Sequence, residues 1–281
     1  GLSIHGIKAR AIEHFAGSVV GVLGSDLFSQ LRVTLDYENK TLTIFNEDSI
    51  IEYAETIQLP LTIDKYAYID AEITFEDKTI EGKFIIDTGA DFSLLLNTPF
   101  IQSHKLLDHV AAVTEPSISQ GAGRKTVSQI GRAKSIKLGD ISFENPIIHF
   151  SQDQEGGATS SEFAGFIGGE LLRRLTLTFD YENQTIALKP NGRFNDPFYY
   201  DLGGMVLEKA FRVSRVLKGS SADKVGIKRN DIILSVDQQP VYDLTIEELY
   251  LHYLNSDKLH IVKILQGAEI KVFQLNLQPI I

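Results

Sequence analysis

Along most of this chain apolar and polar residues alternate with a period of two, which predicts short half-buried strands rather than helices. Residues 32–36 (Arg-Val-Thr-Leu-Asp) and 41–45 (Thr-Leu-Thr-Ile-Phe) read as two strands around the hairpin turn Tyr37-Glu38-Asn39-Lys40, with Asn39 suited to a positive φ. Further strands are expected over 57–63, 66–75, 79–86, 94–97, 126–136 and 141–150, the last two divided by Leu138-Gly139-Asp140. Helical spacing is rare. A short helix is expected over 99–107, and another opens near Ser25 or Asp26 after the strand and glycine turn of residues 19–24.

The pattern repeats. Gly21-Val22-Leu23-Gly24, then a helix, then a hairpin carrying Asp36-Tyr37-Glu38-Asn39, returns as Gly165-Phe166-Ile167-Gly168, a helix, and Asp180-Tyr181-Glu182-Asn183, 144 residues later. A hairpin alone could coincide. A strand, a helix and a hairpin in one order indicate an internal duplication. The acidic stretch 48–55 reads as the join between the copies, and the polar, glycine-rich stretch 152–162 as a loop.

After Lys189 the pattern changes. Residues 190–197 (Pro-Asn-Gly-Arg-Phe-Asn-Asp-Pro) have linker composition. Beyond them, strands are expected from Gly203-Gly204-Met205-Val206-Leu207 and over 211–216, 232–236, 258–265 and 270–277. A capped short helix ends at Gly226, and apolar residues at helical spacing fill 244–254. About 85 residues of this kind make one small domain. The expected organisation is a first partial repeat over 1–50, a complete unit over 51–190 and a small domain over 191–281.

Composition narrows the chemistry. The chain has 281 residues, with 43% apolar and 23% charged residues, as in ordinary globular proteins. Its net charge of −10 disfavours nucleic acid and anionic membrane surfaces. No apolar run approaches the roughly 20 residues of a membrane span, and no signal peptide is present. The lack of cysteine removes disulfides, thiol catalysis and cysteine–zinc sites together, and fits cytoplasm and bacterial periplasm equally. The seven histidines form no metal-ligand pair, so isolated ones such as His104 and His149 are read as structural or surface residues. There is no nucleophile elbow and no phosphate loop, and no metal or cofactor is expected.

What stands out is Asp87-Thr88-Gly89, set between the apolar runs Phe84-Ile85-Ile86 and Phe92 to Leu96. A carboxylate at the end of a buried strand is costly unless it is satisfied or used. Two facing carboxylates share a proton, because like charges at close range cannot both ionise. One member then takes a proton from water while the other polarises a peptide carbonyl. A rigid turn meeting its own copy across a two-fold axis suits that chemistry, and the duplication supplies the two-fold relation.

These residues resemble the aspartic proteases, nearest to the retropepsin-like members, with a pepsin-like closing segment. The resemblance covers residues 55–189 in full and 1–46 as the back half of another copy. It implies a mostly β fold: an acid-protease β-barrel lobe preceded by part of a second one. It implies peptide or unfolded protein as substrate, Asp87 as catalytic aspartate with Thr88 and Gly89 in its turn, Ala90 and Asp91 meeting substrate backbone, and Gly121-Ala122-Gly123 as the tip of a flap. Two departures accompany it. Gly169, and Ser25 in the other copy, stand where retroviral members place an arginine that pairs with the residue matching Asp91, which leaves Arg173 or Arg174 as substitutes. The first copy lacks its own Asp-Thr-Gly, so the second catalytic aspartate is expected from a homodimer partner or from an upstream segment.

The small domain resembles PDZ domains of the bacterial protease-associated type, carried by Gly219-Ser220-Ser221-Ala222, Gly226-Ile227 and Asn230-Asp231-Ile232-Ile233. The resemblance implies a partial β-barrel with two helices, a carboxylate-binding loop at Gly203, Gly204 and Met205, and an edge strand from Met205 through Val206 to Leu207 that adds a peptide strand. It also points to a bacterial periplasm or cell envelope. Two rival readings stand beside the endopeptidase: a non-catalytic peptide-binding scaffold, and a duplicated unit that serves assembly alone.

Overall fold

The computed structural model describes residues 28, 31–45, 56–111, 113–120, 125–253 and 256–281. The strand and helix expected over 19–28, the join at 48–55, Ser25 and the Gly121–Gly123 flap tip lie outside the described residues, apart from Phe28. The chain forms two compact units, Gly1–Asp196 and Pro197–Ile281.

In the first unit the strands are β1 (Arg32–Asp36), β2 (Thr41–Phe45), β3 (Ile57–Pro60), β4 (Thr62–Ile63), β5 (Ala67–Thr74), β6 (Thr79–Asp87) and β7 (Leu94–Leu96). Helix α1 (Thr98–His104) leads to β8 (Ser117–Gln120), β9 (Lys125–Arg132), β10 (Ser135–Leu138), β11 (Ile141–Glu144), β12 (Ile147–Ser151) and β13 (Gly165–Gly168). The short helix α2 (Gly169–Leu172), β14 (Leu175–Asp180) and β15 (Thr185–Pro190) complete the unit. The fold is mostly β, as the alternation predicts.

Where two long strands are expected over 126–136 and 141–150, there are four shorter ones. β9 gives way to β10 at Ala133-Lys134, and β11 to β12 at Asn145-Pro146. Asn145 takes a left-handed φ of 53°. Pro146 has no N–H to give a ladder, so the break falls there. The apolar faces of this sheet close on a core that includes Phe84, Leu94, Leu96, Ile148, Phe150 and Ile167, all fully buried.

A second sheet runs in the order β2-β1-β14-β15-β3 and joins the two copies of the repeat. Its register is two-fold symmetric. Thr34 faces its own counterpart Thr178, 144 residues on, with the two hydroxyls 2.7 Å apart. Arg32 faces Asp180 while Asp36 faces Thr176, so each strand reads the other in reverse about that point. Both hairpins close alike. Asp36 accepts from the Asn39 backbone and side-chain amides at 3.0 and 2.8 Å, and Asp180 does the same from Asn183. The positive φ falls not on Asn39 but one residue later, on Lys40 (56°) and its counterpart Gln184 (52°). Each Asn is held back by its aspartate, so the next residue makes the left-handed turn.

The second unit holds β16 (Met205–Glu208), β17 (Arg212–Val216), helix α3 (Ser221–Val225), β18 (Ile232–Val236), β19 (Gln239–Pro240), helix α4 (Ile246–Tyr253), β20 (Leu259–Gln266) and β21 (Glu269–Asn276). Ser220 caps α3 by accepting from Asp223 N, and Gly226 ends it at a φ of 85°. The sheet order β16-β17-β18-β20-β21 puts β16 at an edge. Leu202, Met205, Val213, Leu249, Val262 and Leu277 are fully buried in a core of its own.

Candidate active site

Asp87 is the last residue of β6, after the buried pair Phe84 and Ile85. It is half-buried, while Thr88, Gly89 and Asp91 are exposed. Its Oδ1 accepts from Gly89 N at 3.1 Å, and its carbonyl from Ala90 N at 3.3 Å, which fixes the turn. This local bond is what Asp-Thr-Gly supplies: a short acidic side chain that folds back on its own backbone.

The turn is then clamped from a distance. β13 threads between β6 and β7, parallel to the first and antiparallel to the second. Gly168 pairs with Asp87 itself. Just beyond, Gly168 N donates to Ser93 O (3.0 Å), Gly169 N to Ala90 O (2.8 Å) and Glu170 N to Phe92 O (3.2 Å). So the loop from Asp87 to β7 is stitched to the start of α2 by three backbone bonds. A side chain on these glycines would not fit. A Cβ at Gly165 would lie 2.0 Å from Leu95 O, one at Gly168 2.2 Å from Phe92 O, and one at Gly169 2.7 Å from Ala90 O. The sequence shows these glycines only as part of the repeat. Their role as the clamp of the Asp87 loop depends on contacts about 75 residues apart along the chain, beyond the reach of local pattern.

The residues expected to support Asp91 are engaged elsewhere. Arg173 Nη2 lies 2.8 Å from Glu170 Oε2. Arg174 is fully buried, with Nη1 3.1 Å from Glu170 Oε1 and Nη2 donating to Asp196 O at 3.2 Å. Their pairing brackets α2 and leaves Asp91 without an ion pair among the described residues.

The first repeat reaches the site through its hairpin. A cavity of about 390 Å³ lies between Thr88 and the β1–β2 hairpin, lined by Leu35, Tyr37, Thr41 and Leu42 among others. Burial, and then the negative charge of Asp87, push the Tyr37 phenol above its ordinary range. Sequence reasoning did not single out Tyr37. The duplicated Asp-Tyr-Glu-Asn was its signal, read there only as a turn. No cluster of three potential metal ligands occurs among the described residues.

In the second unit Gly203 and Gly204 both have positive φ (60° and 90°) and turn the chain into β16. Leu202 and Met205 bridge across that turn in both directions, at 2.9 and 3.0 Å. Gly204 N donates to the buried Asp201 carboxylate at 2.7 Å, and Asp201 also takes the amides of Ile280 and Ile281. The Gly204 and Met205 amides are therefore spent inside the chain. Val206 and Leu207 continue along the sheet edge, both half-buried.

Comparison with known families agrees with this geometry. Residues 71–171 match the aspartyl protease family, a stretch that holds both Asp87 and the Gly165–Gly168 strand clamped to it. Residues 212–250 match the PDZ domain family. Over these two stretches the chain is similar to an aspartyl protease domain followed by a PDZ domain. Among solved structures it is similar to an aspartic proteinase from Irpex lacteus, at 16% identity and a TM-score of 0.35. That match covers 58% of this chain and 56% of the other, so the chain spans little more than half the length of that enzyme. No curated protein matches significantly.

Within the PDZ domain α4 packs its buried Leu249, Tyr250 and Tyr253 into the core shared with Met205 of β16. Tyr250 Oη donates to Tyr200 O at 2.9 Å, and the Tyr199 ring stacks on Tyr250 at 4.7 Å. Burial raises the Tyr250 phenol far above its ordinary range, so it stays a neutral donor.

Proposed function

We propose that the protein is an aspartic endopeptidase in which Asp87 is one of two facing carboxylates. The observation that carries this reading is the presentation of Asp87: at the end of a buried strand, on a turn immobilised by backbone bonds to Gly168, Gly169 and Glu170. A catalytic carboxylate has to be held this firmly, since its work depends on geometry more than on affinity. The pair binds one water. The ionised member takes a proton from it, the protonated member donates to the scissile carbonyl, and the tetrahedral intermediate collapses with proton transfer to the leaving amine. The pair titrates as a unit. Thr88 braces the turn, Ala90 and Asp91 meet substrate backbone, and Gly121, Ala122 and Gly123 cover the substrate as a flap. The second carboxylate comes from a homodimer partner or an upstream segment.

Peptide recognition by the PDZ domain belongs to the same reading. With the Gly204 and Met205 amides already bonded, strand addition along Val206 and Leu207 is the mode this geometry supports best. Substrates are peptides or unfolded protein, met in the periplasm or cell envelope of a bacterium.

The test is cleavage of an unfolded protein at acidic pH. Asp87→Asn is expected to lower the rate by roughly 10²–10⁴-fold or more while leaving the fold intact, since it removes one member of an acid–base pair. Equal turnover by the variant, or full activity with a statine-type inhibitor present, would defeat the reading. The non-catalytic alternative is favoured by a single fact: the described residues hold one Asp-Thr-Gly turn. It expects peptide affinity without turnover, unchanged by Asp87→Asn.

A further inference from the structure

The loop expected to hold a ligand's terminal carboxylate already holds a carboxylate of its own. Asp201 is fully buried, and both of its oxygens accept main-chain amides. Its Oδ1 takes Gly204 N at 2.7 Å and Ile280 N at 3.1 Å. Its Oδ2 takes Ile280 N at 3.0 Å and Ile281 N at 3.1 Å. Amides that converge on one carboxylate in this way are what an anion-binding loop offers a bound anion. Here the anion belongs to the chain. The Met205 amide, next along the loop, is bonded to Leu202 O.

The loop is also held from its other side. Gly203 O accepts from Ala222 N at 3.1 Å, and Gly204 O from Leu217 N at 2.8 Å, so its carbonyls are tied to α3 and to the residue after β17. A Cβ on Gly203 would lie 2.4 Å from Asn276 O, and one on Gly204 2.0 Å from the Ser220 Cβ. The end of β21 and the cap of α3 therefore press on the loop directly. An incoming carboxylate would have to enter beside Asp201, where like charges at close range oppose each other, or expel it and leave a buried carboxylate without its donors.

Granting that the domain is a peptide site, we propose that it does not read chain ends. Asp201 fills the carboxylate loop as a built-in ligand, and the partners are internal stretches of unfolded chain taken up along the edge of β16. Strand addition runs on main-chain bonds, which every extended segment offers, so a terminus carries no advantage. The partner class narrows from peptide termini to unfolded segments anywhere in a substrate.

The experiment uses the 281-residue chain carrying Asp87→Asn, so that binding is read without turnover. Overlapping peptides of about twelve residues, tiled across reduced and alkylated α-lactalbumin, are each made with a free terminal carboxylate and again as the terminal amide. Affinity is read from amide exchange over residues 205–208, which reports on the β16 edge and not on binding near Asp87. Among peptides that slow exchange, acid and amide are expected to bind equally, within about twofold. A loop that grips the carboxylate would lose charge-assisted bonds on amidation, and binding would weaken by about tenfold or more. That result would overturn the proposal and leave the domain a peptide site. A second protein carries Asp201→Gly as well. With the side chain gone, the Gly204, Ile280 and Ile281 amides are open to a ligand, and the acid is expected to bind about tenfold tighter than the amide. Continued indifference in that variant, with exchange in β18 intact, would overturn the assignment of Asp201 as the loop's occupant. If the variant does not fold, the comparison of acid and amide on the first protein still decides. Should no peptide in either form slow β16, peptide recognition by the domain falls and the proposal with it, whereas the endopeptidase reading would still stand or fall on Asp87.

Discussion

Single glycines carry more of this site than its acidic residues do. Gly165, Gly168 and Gly169 let one backbone lie against another where even a methyl group would collide. Gly165→Ala forces a carbon to within 2.0 Å of Leu95 O, in the middle of two ladders. It should cost about 3 kcal/mol, typical of severe overpacking, and denaturant unfolding will show it. Gly169→Ala is milder, at 2.7 Å from Ala90 O, but it pushes on the Asp87 loop directly. We expect kcat to fall by about 10²-fold with little change in KM, because a misplacement of about 1 Å at the reacting group is enough for that. A third residue-scale outcome concerns Glu170, which bridges Arg173 to the buried Arg174. Glu170→Gln leaves a buried guanidinium short of this charge partner and should destabilise the first unit by about 3 kcal/mol, read as a fall in Tm.

Strands and hairpins were legible from the sequence where the evidence for them is local. The β1–β2 and β14–β15 hairpins stand where alternation and Asp-Tyr-Glu-Asn put them, and α3 begins and ends at its Ser220 and Gly226 caps. What local pattern did not give was pairing. The passage of β13 between β6 and β7, and the facing of Thr34 with Thr178, join residues far apart in the chain. The breaks at Ala133-Lys134 and Asn145-Pro146 fall in short polar stretches between apolar residues that read as one strand on either side. Asp36 offers a test at this scale. The Asn39 backbone amide, then its side chain, hold the Asp36 carboxyl below its ordinary value of 3.8. Such a depressed acid stabilises the fold above the ordinary value, and the benefit is lost as pH falls through the lower, folded-state pKa. The Tm gap between wild type and Asp36→Ala should be constant near neutrality and close as the pH drops below 3.8. In the PDZ domain, buried His260 links Asp237 (2.7 Å) and Ser256 (2.5 Å), tying the turn after β18 to the start of β20. It is the kind of satisfied polar cluster whose loss destabilises a small domain.

At the scale of the whole chain, the proposed reading divides the work of the two compact units between chemistry and capture. A tethered second site raises the local concentration of anything bound to it, and it acts only on substrates long enough to engage both sites. That sets apart two roles for the PDZ domain which stability measurements alone would confuse. If it recruits substrate, a chain ending at Asp196 should cleave unfolded proteins with a KM raised about tenfold or more and kcat unchanged. Cleavage of a peptide of six or eight residues, too short to span two sites, should not change at all. If the domain only supports the protease fold, both substrates should lose kcat together, with a lower Tm for the remaining unit. A spacer would give no change on either. The comparison of long and short substrates, made on the same two proteins, therefore decides whether the Val206–Leu207 edge is a working peptide site.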